Sequence, residues 1–325
     1  MRKVIFVAVA FAVSLASIGT ATAQVYPSRP ITLIVPFSAG GPTDTIGRVV
    51  AERMRVSLGQ PVIIENVTGA GGNIGVGRVA RAQPDGYTLV IGHWSTHVIN
   101  GAIYTLPYDV VKDFEPIALL STNPQMIISK NAVPAKDLRE LTAWLKANPG
   151  KATLATVGPG SQPHVAGILF QNFTGARFQF VPYRGAAPAM QDLLGGQIDL
   201  MMPQVIIALP QVRAGKVRAY AVTSKSRVPS APDIPSMDEA GVPGVYVDSW
   251  HGLWAPKGTP KEVIAKLNAA VVETLAYPAA RQKLVDLGQE FWPRAGQTPE
   301  ALAAFQKAEI DKWWPIVKEA GIKAE

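Results

Sequence analysis

A glycine-rich turn near the start of the chain is the first place where the residue types could do chemistry. Residues 36–45 (PFSAGGPTDT) follow an apolar run and precede a segment with helical spacing. Free backbone N–H groups at a helix start bind anions. The turn matches neither the phosphate loop G-x-x-x-x-G-K-S/T nor the dinucleotide turn G-x-G-x-x-G. Because Asp44 disfavours a doubly charged phosphate, we predict a single carboxylate as ligand; the alternative is a plain turn capped by Asp44.

Two further turns repeat this arrangement. In residues 68–75 (TGAGGNIG) Asn73 is a predicted helix cap, and in residues 158–164 (GPGSQPH) Ser161 is a predicted cap and hydroxyl donor, followed by His164. Each turn alone is a weak signal, since close helix packing explains such glycines equally well. Three of them at strand-to-helix junctions favour an anion site built from helix ends.

Metal binding and catalysis have little support in the sequence. His93 and His97 have the i,i+4 spacing of a helical metal pair, but no Asp or Glu lies near them and the segment begins at a predicted strand end. The nucleophile motif G-x-S-x-G is missing around Ser161, and no acidic residue is placed to orient His164. We therefore predict no enzyme, no metal and no cofactor.

The elements that must position these turns alternate between strand and helix. Short β-branched runs alternate with helical segments along most of the chain, and three helical segments follow to the C-terminus. The alternation predicts a parallel sheet with helices on both faces and ligands beyond the carboxyl ends of its strands. Crossings at residues 119–124 and 249–256 predict two α/β domains around a cleft, namely residues 24–121 plus 253–325 and residues 122–252; one continuous sheet is the alternative.

Residues 1–23 have the features of a cleaved secretory signal. Arg2 and Lys3 precede an apolar run, and the small residues that follow fit a cleavage site after Ala23. The apolar run is shorter than the ~20 residues of a bilayer span, which disfavours the alternative of an uncleaved anchor. We expect export to a bacterial periplasm.

Composition excludes other classes of protein. The chain has no cysteine, so it forms no disulfide and carries no lipid on an N-terminal cysteine. Its net charge is +7, and loss of Arg2 and Lys3 leaves 7 − 2 = +5. The positive residues are scattered without interleaved aromatics, so we expect no nucleic-acid partner. The mild excess favours small anionic ligands weakly.

Five segments, in order from residue 26 to the C-terminus, stand out together: YPSRPITLIVPFSAGGPTDTIGR, LGQPVIIENVTGAGGNIGVGRVARAQPDGYTL, VPYRGAAPAMQDLLGGQIDLM, PQVRAGKVRAYAVTS and GLWAPKGTPKEVIAKLNAAV. They closely resemble the Bug family, the periplasmic solute receptors of tripartite tricarboxylate transporters. The resemblance implies an α/β, two-domain periplasmic binding protein of the type II, flytrap-like class, with mixed sheets flanked by helices. It implies a monomer that closes on an organic acid and meets a permease of two integral membrane subunits.

The resemblance also implies a ligand site. In the family, the loops matching residues 37–44 and 158–164 hold one ligand carboxylate, partly through ordered water, and the segments matching 95–97 and 183–185 line the same cleft. Gln204, which follows the next predicted strand, is added to this set. The residues predicted to bind ligand are Phe37, Ser38, Ala39, Gly40, Gly41, Asp44, Ser95, Thr96, His97, Gly160, Ser161, His164, Tyr183, Gly185 and Gln204.

Two departures from the family pattern fall where the far end of a ligand would lie. The chain reads Met201-Met202-Pro203-Gln204 where a polar segment is common, and the adjoining His93-Trp94 is bulkier than the small polar residues expected. These apolar changes favour an aromatic or medium-chain carboxylate over citrate, and the predicted ligand is a dicarboxylate or an aromatic carboxylate. A module that signals to a membrane sensor kinase and an exported hydrolase are the alternative functions.

Overall fold

The structure is a computed structural model that describes residues 26–286, 288–319 and 321–323. The predicted signal sequence, residues 1–23, and its cleavage site lie outside these ranges. Within the described ranges, no helix is both long and apolar enough to span a bilayer.

Strands and helices alternate as the sequence predicts. The strands are β1 (Ile31–Val35), β2 (Val62–Asn66), β3 (Thr88–His93), β4 (Phe114–Pro124), β5 (Met126–Lys130), β6 (Thr153–Thr156), β7 (Gln179–Pro182), β8 (Leu200–Met201), β9 (Val217–Val222) and β10 (Asp248–Pro256). The α-helices are α1 (Pro42–Leu58), α2 (Asn73–Ala80), α3 (Asn100–Ile103), α4 (Leu138–Ala147), α5 (Gln162–Thr174), α6 (Ala186–Leu194), α7 (Val205–Arg213), α8 (Lys261–Ala276), α9 (Pro278–Val285) and α10 (Pro299–Glu319). A π-helical turn occupies Ser95–Ile99.

The strands form two mixed sheets. The first has the order β2-β1-β3-β10-β4 and the second β7-β6-β8-β5-β9. In the first, β1 is parallel to β2 and β3, and β10 is antiparallel to β3 and β4. In the second, β6 is parallel to β7 and β8, and β5 is antiparallel to β8 and β9. The alternative of one continuous sheet is wrong. The expectation of parallel pairing holds among β1, β2 and β3 and among β6, β7 and β8, whereas the pairs made by β10 and β5 are antiparallel.

The two predicted crossings lie side by side. Strands β4 and β10 pair antiparallel along their length, from Phe114 opposite Pro256 to Pro124 opposite Asp248. β4 leads almost directly into β5 of the second sheet, so the connection between the sheets begins at the end of this pair. The domain limits at residues 121 and 252 stay a prediction.

Helix α1 packs its apolar side against the first sheet. Strand β1 has four fully buried side chains out of five, as expected for a central parallel strand. Ile46, Val50 and Met54 repeat every four residues along α1 and are fully buried in the same cluster as β1. The helix ends at Gly59, whose φ of 69° is the left-handed conformation that glycine adopts without a Cβ penalty.

The last helix packs back on the first sheet. Trp313 of α10 is buried and meets Trp94 edge to face, with ring centroids 5.0 Å apart. The neighbouring Trp314 donates its indole N–H to the carbonyl of Val98. Both tryptophans therefore serve packing.

Candidate functional site

A small cavity of about 60 Å³ lies between the two sheets. Its wall combines the carboxyl ends of strands with the starts of helices from both parts of the chain. Among the described residues that line it there is no Lys, Arg, Asp or Glu. The lining residues are Phe37, Ser38, Gly41, Pro42, Thr43, His93, Ser95, Gln125, Ala155, Thr156, Val157, Gln162, Pro163, Gly185, Ala186, Ala189, Met201, Met202, Pro203 and Gln204.

Four helices begin at this cavity, namely α1, α5, α6 and α7. Their N-cap residues, Gly41, Ser161, Gly185 and Gln204, make no side-chain hydrogen bond to the helix. The helices α2, α8 and α9, which begin elsewhere, also lack a side-chain cap, so the distinguishing feature of these four is that they begin at one cavity. Helix N-termini carry partial positive charge on free N–H groups. The site can therefore stabilise an anion although no cationic side chain lines it.

Six of the predicted ligand residues line the cavity. They are Phe37, Ser38, Gly41, Ser95, Gly185 and Gln204. The Ser38 hydroxyl is buried and has no hydrogen-bond partner among the described residues, so it is free to serve a ligand. The other predicted residues do not line this cavity. They are Ala39, Gly40, Asp44, Thr96, His97, Gly160, Ser161, His164 and Tyr183.

Asp44 anchors the first turn from behind. Its buried carboxylate accepts hydrogen bonds from Gly40 N at 2.9 Å, from Asn66 Nδ2 at 3.0 Å and from Arg48 Nε at 2.9 Å. Burial raises the pKa of this carboxyl, but the bonds from Arg48, Gly40 and Asn66 outweigh burial and lower the pKa below its ordinary value. The carboxylate holds the loop rather than capping α1. Arg48 compensates its charge, which removes the repulsion expected toward a phosphate.

The second loop predicted to hold the ligand carboxylate, residues 158–164, also makes different hydrogen bonds from those expected. Ser161 is the N-cap of α5, but its hydroxyl accepts from Val157 N at 3.3 Å instead of capping the helix. His164 Nδ1 accepts from Gly160 N at 3.0 Å, so that nitrogen is not available as a base for Ser161. Asn73 does not cap α2 either, because its side chain accepts from Asn100 and Tyr108.

Two glycines let the two parts of the molecule touch. A Cβ atom at Gly160 would lie 1.9 Å from Ile103 Cδ1, and a Cβ at Gly185 would lie 2.0 Å from Ser38 Oγ. In both cases the glycine belongs to a loop of the second sheet, and its neighbour lies on the side of the first sheet, Ile103 in helix α3 and Ser38 in the first glycine turn. The glycines thus permit an approach that closes the cavity.

The remaining predicted residues serve local structure. His97 stacks on Trp254 with ring centroids 3.9 Å apart, and burial lowers the pKa of His97 to about 3. Thr96 Oγ1 accepts from the backbone N–H of His93 and donates to the carbonyl of the same residue. Tyr183 donates its hydroxyl to Asp192, behind the start of α6. His93 and His97 therefore do not converge on a metal position.

His93 forms a network at the floor of the cavity. Its Nδ1 lies 2.7 Å from Ser95 Oγ and accepts the Ser95 backbone N–H at 3.1 Å. Its Nε2 lies 2.6 Å from Ser249 Oγ and 3.0 Å from the side-chain amide of Gln204. Burial lowers the pKa of His93 to about 3, against a smaller opposing effect of Gln162, so the ring is neutral.

Several lining residues were not predicted as ligand contacts. Met201, Met202 and His93 had been noted only as departures, and all three are buried in the wall. Gln125 and Gln162 were not predicted either. Their positions in the sequence are a possible signal, because Gln125 is a polar residue between two apolar strands and Gln162 is the first residue of a helix beside a glycine turn. Polar side chains in such places are usually held for hydrogen bonding.

Comparison with known proteins agrees with this geometry. A family model described as the tripartite tricarboxylate transporter family receptor matches residues 46–322. Protein BugT of Bordetella pertussis is 36% identical over 304 residues, which cover 93% of this chain and 92% of that protein.

Two solved structures share the fold along nearly the whole chain. The periplasmic binding protein BugD has a TM-score of 0.88 and 43% identity, covering 92% of this chain and 100% of that one. MatC from Rhodopseudomonas palustris, solved with bound malate, has a TM-score of 0.86 and 40% identity, covering 90% and 100%. These likenesses confirm the predicted fold class, a flytrap-like α/β periplasmic binding protein with mixed sheets. The chain belongs to the tripartite tricarboxylate transporter receptor family.

Proposed function

We propose that the protein is a periplasmic receptor that binds a small organic carboxylate in the cavity between its two α/β units. It then delivers this ligand to a tripartite tricarboxylate-type permease with two integral membrane subunits. The receptor acts as a monomer, and no catalytic step is part of this proposal. Dicarboxylates and aromatic carboxylates are the ligand classes favoured by the sequence, and the related MatC was solved with malate.

The meeting of four uncapped helix N-termini at one cavity carries this proposal. Carboxylates bind well to converging N–H groups and hydroxyls, because such donors supply charge stabilisation without an ionised partner. Ser38 and Thr43 from one unit and Thr156 from the other place hydroxyls on the same wall. A ligand that touches both units favours the closed arrangement, since only closure brings these donors together.

Uptake by cells separates delivery to a permease from a sensing role. In a strain lacking this chain, import of the labelled carboxylate that binds best in vitro is expected to fall to the background rate, and the wild-type gene is expected to restore it. Intact import together with a lost transcriptional response to the same acid would contradict delivery and support a sensing module.

A further inference from the structure

The cavity contains buried side-chain amides whose polar ends are not all used by the protein. One amide end each of Gln125, Gln162 and Gln204 has no hydrogen-bond partner among the described residues. All three side chains are more than nine-tenths buried and line the cavity, and contacts fix the orientation of the amides of Gln162 and Gln204. A buried polar group without a partner is costly, so these ends are placed to meet a ligand.

The His93 network assigns the two ends of the Gln204 amide. His93 is neutral and its Nδ1 accepts the Ser95 N–H, so its single ring proton is on Nε2. That Nε2–H is nearest to Ser249 Oγ, at 2.6 Å, and donates to it, so the Ser249 hydroxyl proton is left to pair with the Gln204 amide atom that lies 3.0 Å from Nε2. The same atom lies 2.5 Å from Ser249 Oγ, which suits an O–H···O bond better than an N–H···O bond. The free end of Gln204 is therefore its NH₂ group, a donor.

The Gln162 amide has the opposite orientation. Its Nε2 faces the carbonyl oxygen of Val247 at 3.5 Å, and the reverse assignment would set two acceptors against each other. Its Oε1 is the end without a partner. The cavity wall therefore offers a ligand one fixed amide donor, from Gln204, and one fixed amide acceptor, from Gln162.

We propose that Gln204 and Gln162 select a carboxylate whose far end is an uncharged group that both accepts and donates a hydrogen bond, such as a primary amide or a hydroxyl. This inference rests on the proposed carboxylate receptor, and within its ligands it ranks carboxylates with such an uncharged far end above the simple dicarboxylates that the sequence favours. A second carboxylate satisfies Gln204 but meets the lone pairs of Gln162 Oε1, and no cationic side chain among the described lining residues offsets its charge. A methyl group leaves both amide ends unsatisfied.

Matched acids test this selection in titration calorimetry at pH 7. The probes are succinamate, succinate and butanoate, and 4-carbamoylbenzoate, terephthalate and 4-methylbenzoate, which within each set differ only at the far end. We expect the monoamide to bind about 5- to 100-fold more tightly than either partner in its set, the effect of satisfying buried polar groups. Tighter binding of the dicarboxylate or of the methyl compound overturns the inference and leaves the carboxylate receptor standing. If no acid binds, the receptor proposal fails and this inference fails with it.

A variant of the acceptor supplies the second test. Gln162→Met keeps the length of the side chain and removes Oε1, so the preference for the monoamide over the methyl compound should shrink about tenfold. Gln191→Met, at an exposed position of α6 that is not part of the wall, should leave the preference unchanged. Thermal unfolding without ligand shows that both variants fold. An unchanged preference in folded Gln162→Met overturns the role of Gln162.

Discussion

Replacement of Gly185 by valine is expected to weaken the binding of all carboxylate ligands about 5- to 150-fold. A Cβ atom at this position would lie 2.0 Å from Ser38 Oγ and 3.2 Å from Ser38 Cβ, across the closed cavity. Overpacking of this kind costs about 1–3 kcal/mol, and here only the closed arrangement bears the cost. Since φ of Gly185 is 174°, extended backbone suits valine and the open arrangement is not strained. Calorimetric titration of wild type and variant measures the effect.

The control for this variant lies at the other end of the same helix. Gly195 follows α6 with φ of −76° and does not line the cavity. Gly195→Val should leave ligand affinity within about twofold of wild type, as for a surface change away from the site. If Gly185→Val folds and binds as tightly as wild type, closure at this contact is not required for binding.

Removal of the Asp44 carboxylate is expected to lower the free energy of unfolding by about 1–3 kcal/mol at pH 7. Asp44→Ala leaves Gly40 N and Asn66 Nδ2 without this acceptor, while the half-exposed Arg48 turns to water. Chemical denaturation of both proteins measures the difference. The exposed pair of Lys307 and Asp311 supplies the control, since Asp311→Ala should change stability by less than about 0.5 kcal/mol.

The loss of unfolding free energy caused by Asp44→Ala should become smaller toward acid pH. The pKa of Asp44 is lowered in the folded protein, so its carboxylate binds protons more weakly there than in the unfolded chain. Its stabilising effect is therefore complete above the unfolded pKa of about 3.9 and is lost as the pH falls through the folded pKa. The difference between wild type and variant should shrink between pH 7 and pH 3. A difference that grows toward acid pH would contradict the assigned role.

The sequence predicts the elements of this fold better than their partners. The β-branched runs and glycine turns predict the observed alternation of strands and helices, because burial of apolar residues leaves a periodic trace in the sequence. That trace does not reveal which strand pairs with which. The antiparallel pairing of β10 with β3 and β4 follows from long-range packing, which local periodicity does not encode.

For the candidate site too, the sequence predicts some of the residues but not the contacts that orient their side chains. Glycine turns signal where backbone can approach a ligand, and Gly41 of the first turn does lie in the wall, whereas Gly185, also in the wall, was predicted only from the family resemblance. The orientation of Asp44 away from the cavity depends on Arg48 and Asn66, and the latter is on another strand. The amide of Gln162 is oriented by the carbonyl of Val247, which is 85 residues away along the chain and so leaves no local sequence signal.

Thermal unfolding of residues 24–325 with a panel of mono-, di- and tricarboxylates tests the central claim most directly. A carboxylate at 100 times its dissociation constant should stabilise the folded protein by about 2.7 kcal/mol, and its methyl ester should not, because the helix N-termini at the cavity act on the negative charge. A rise in melting temperature with at least one free acid and none with its ester is the predicted result. No rise with any carboxylate, or an equal rise with the ester, would contradict a carboxylate receptor.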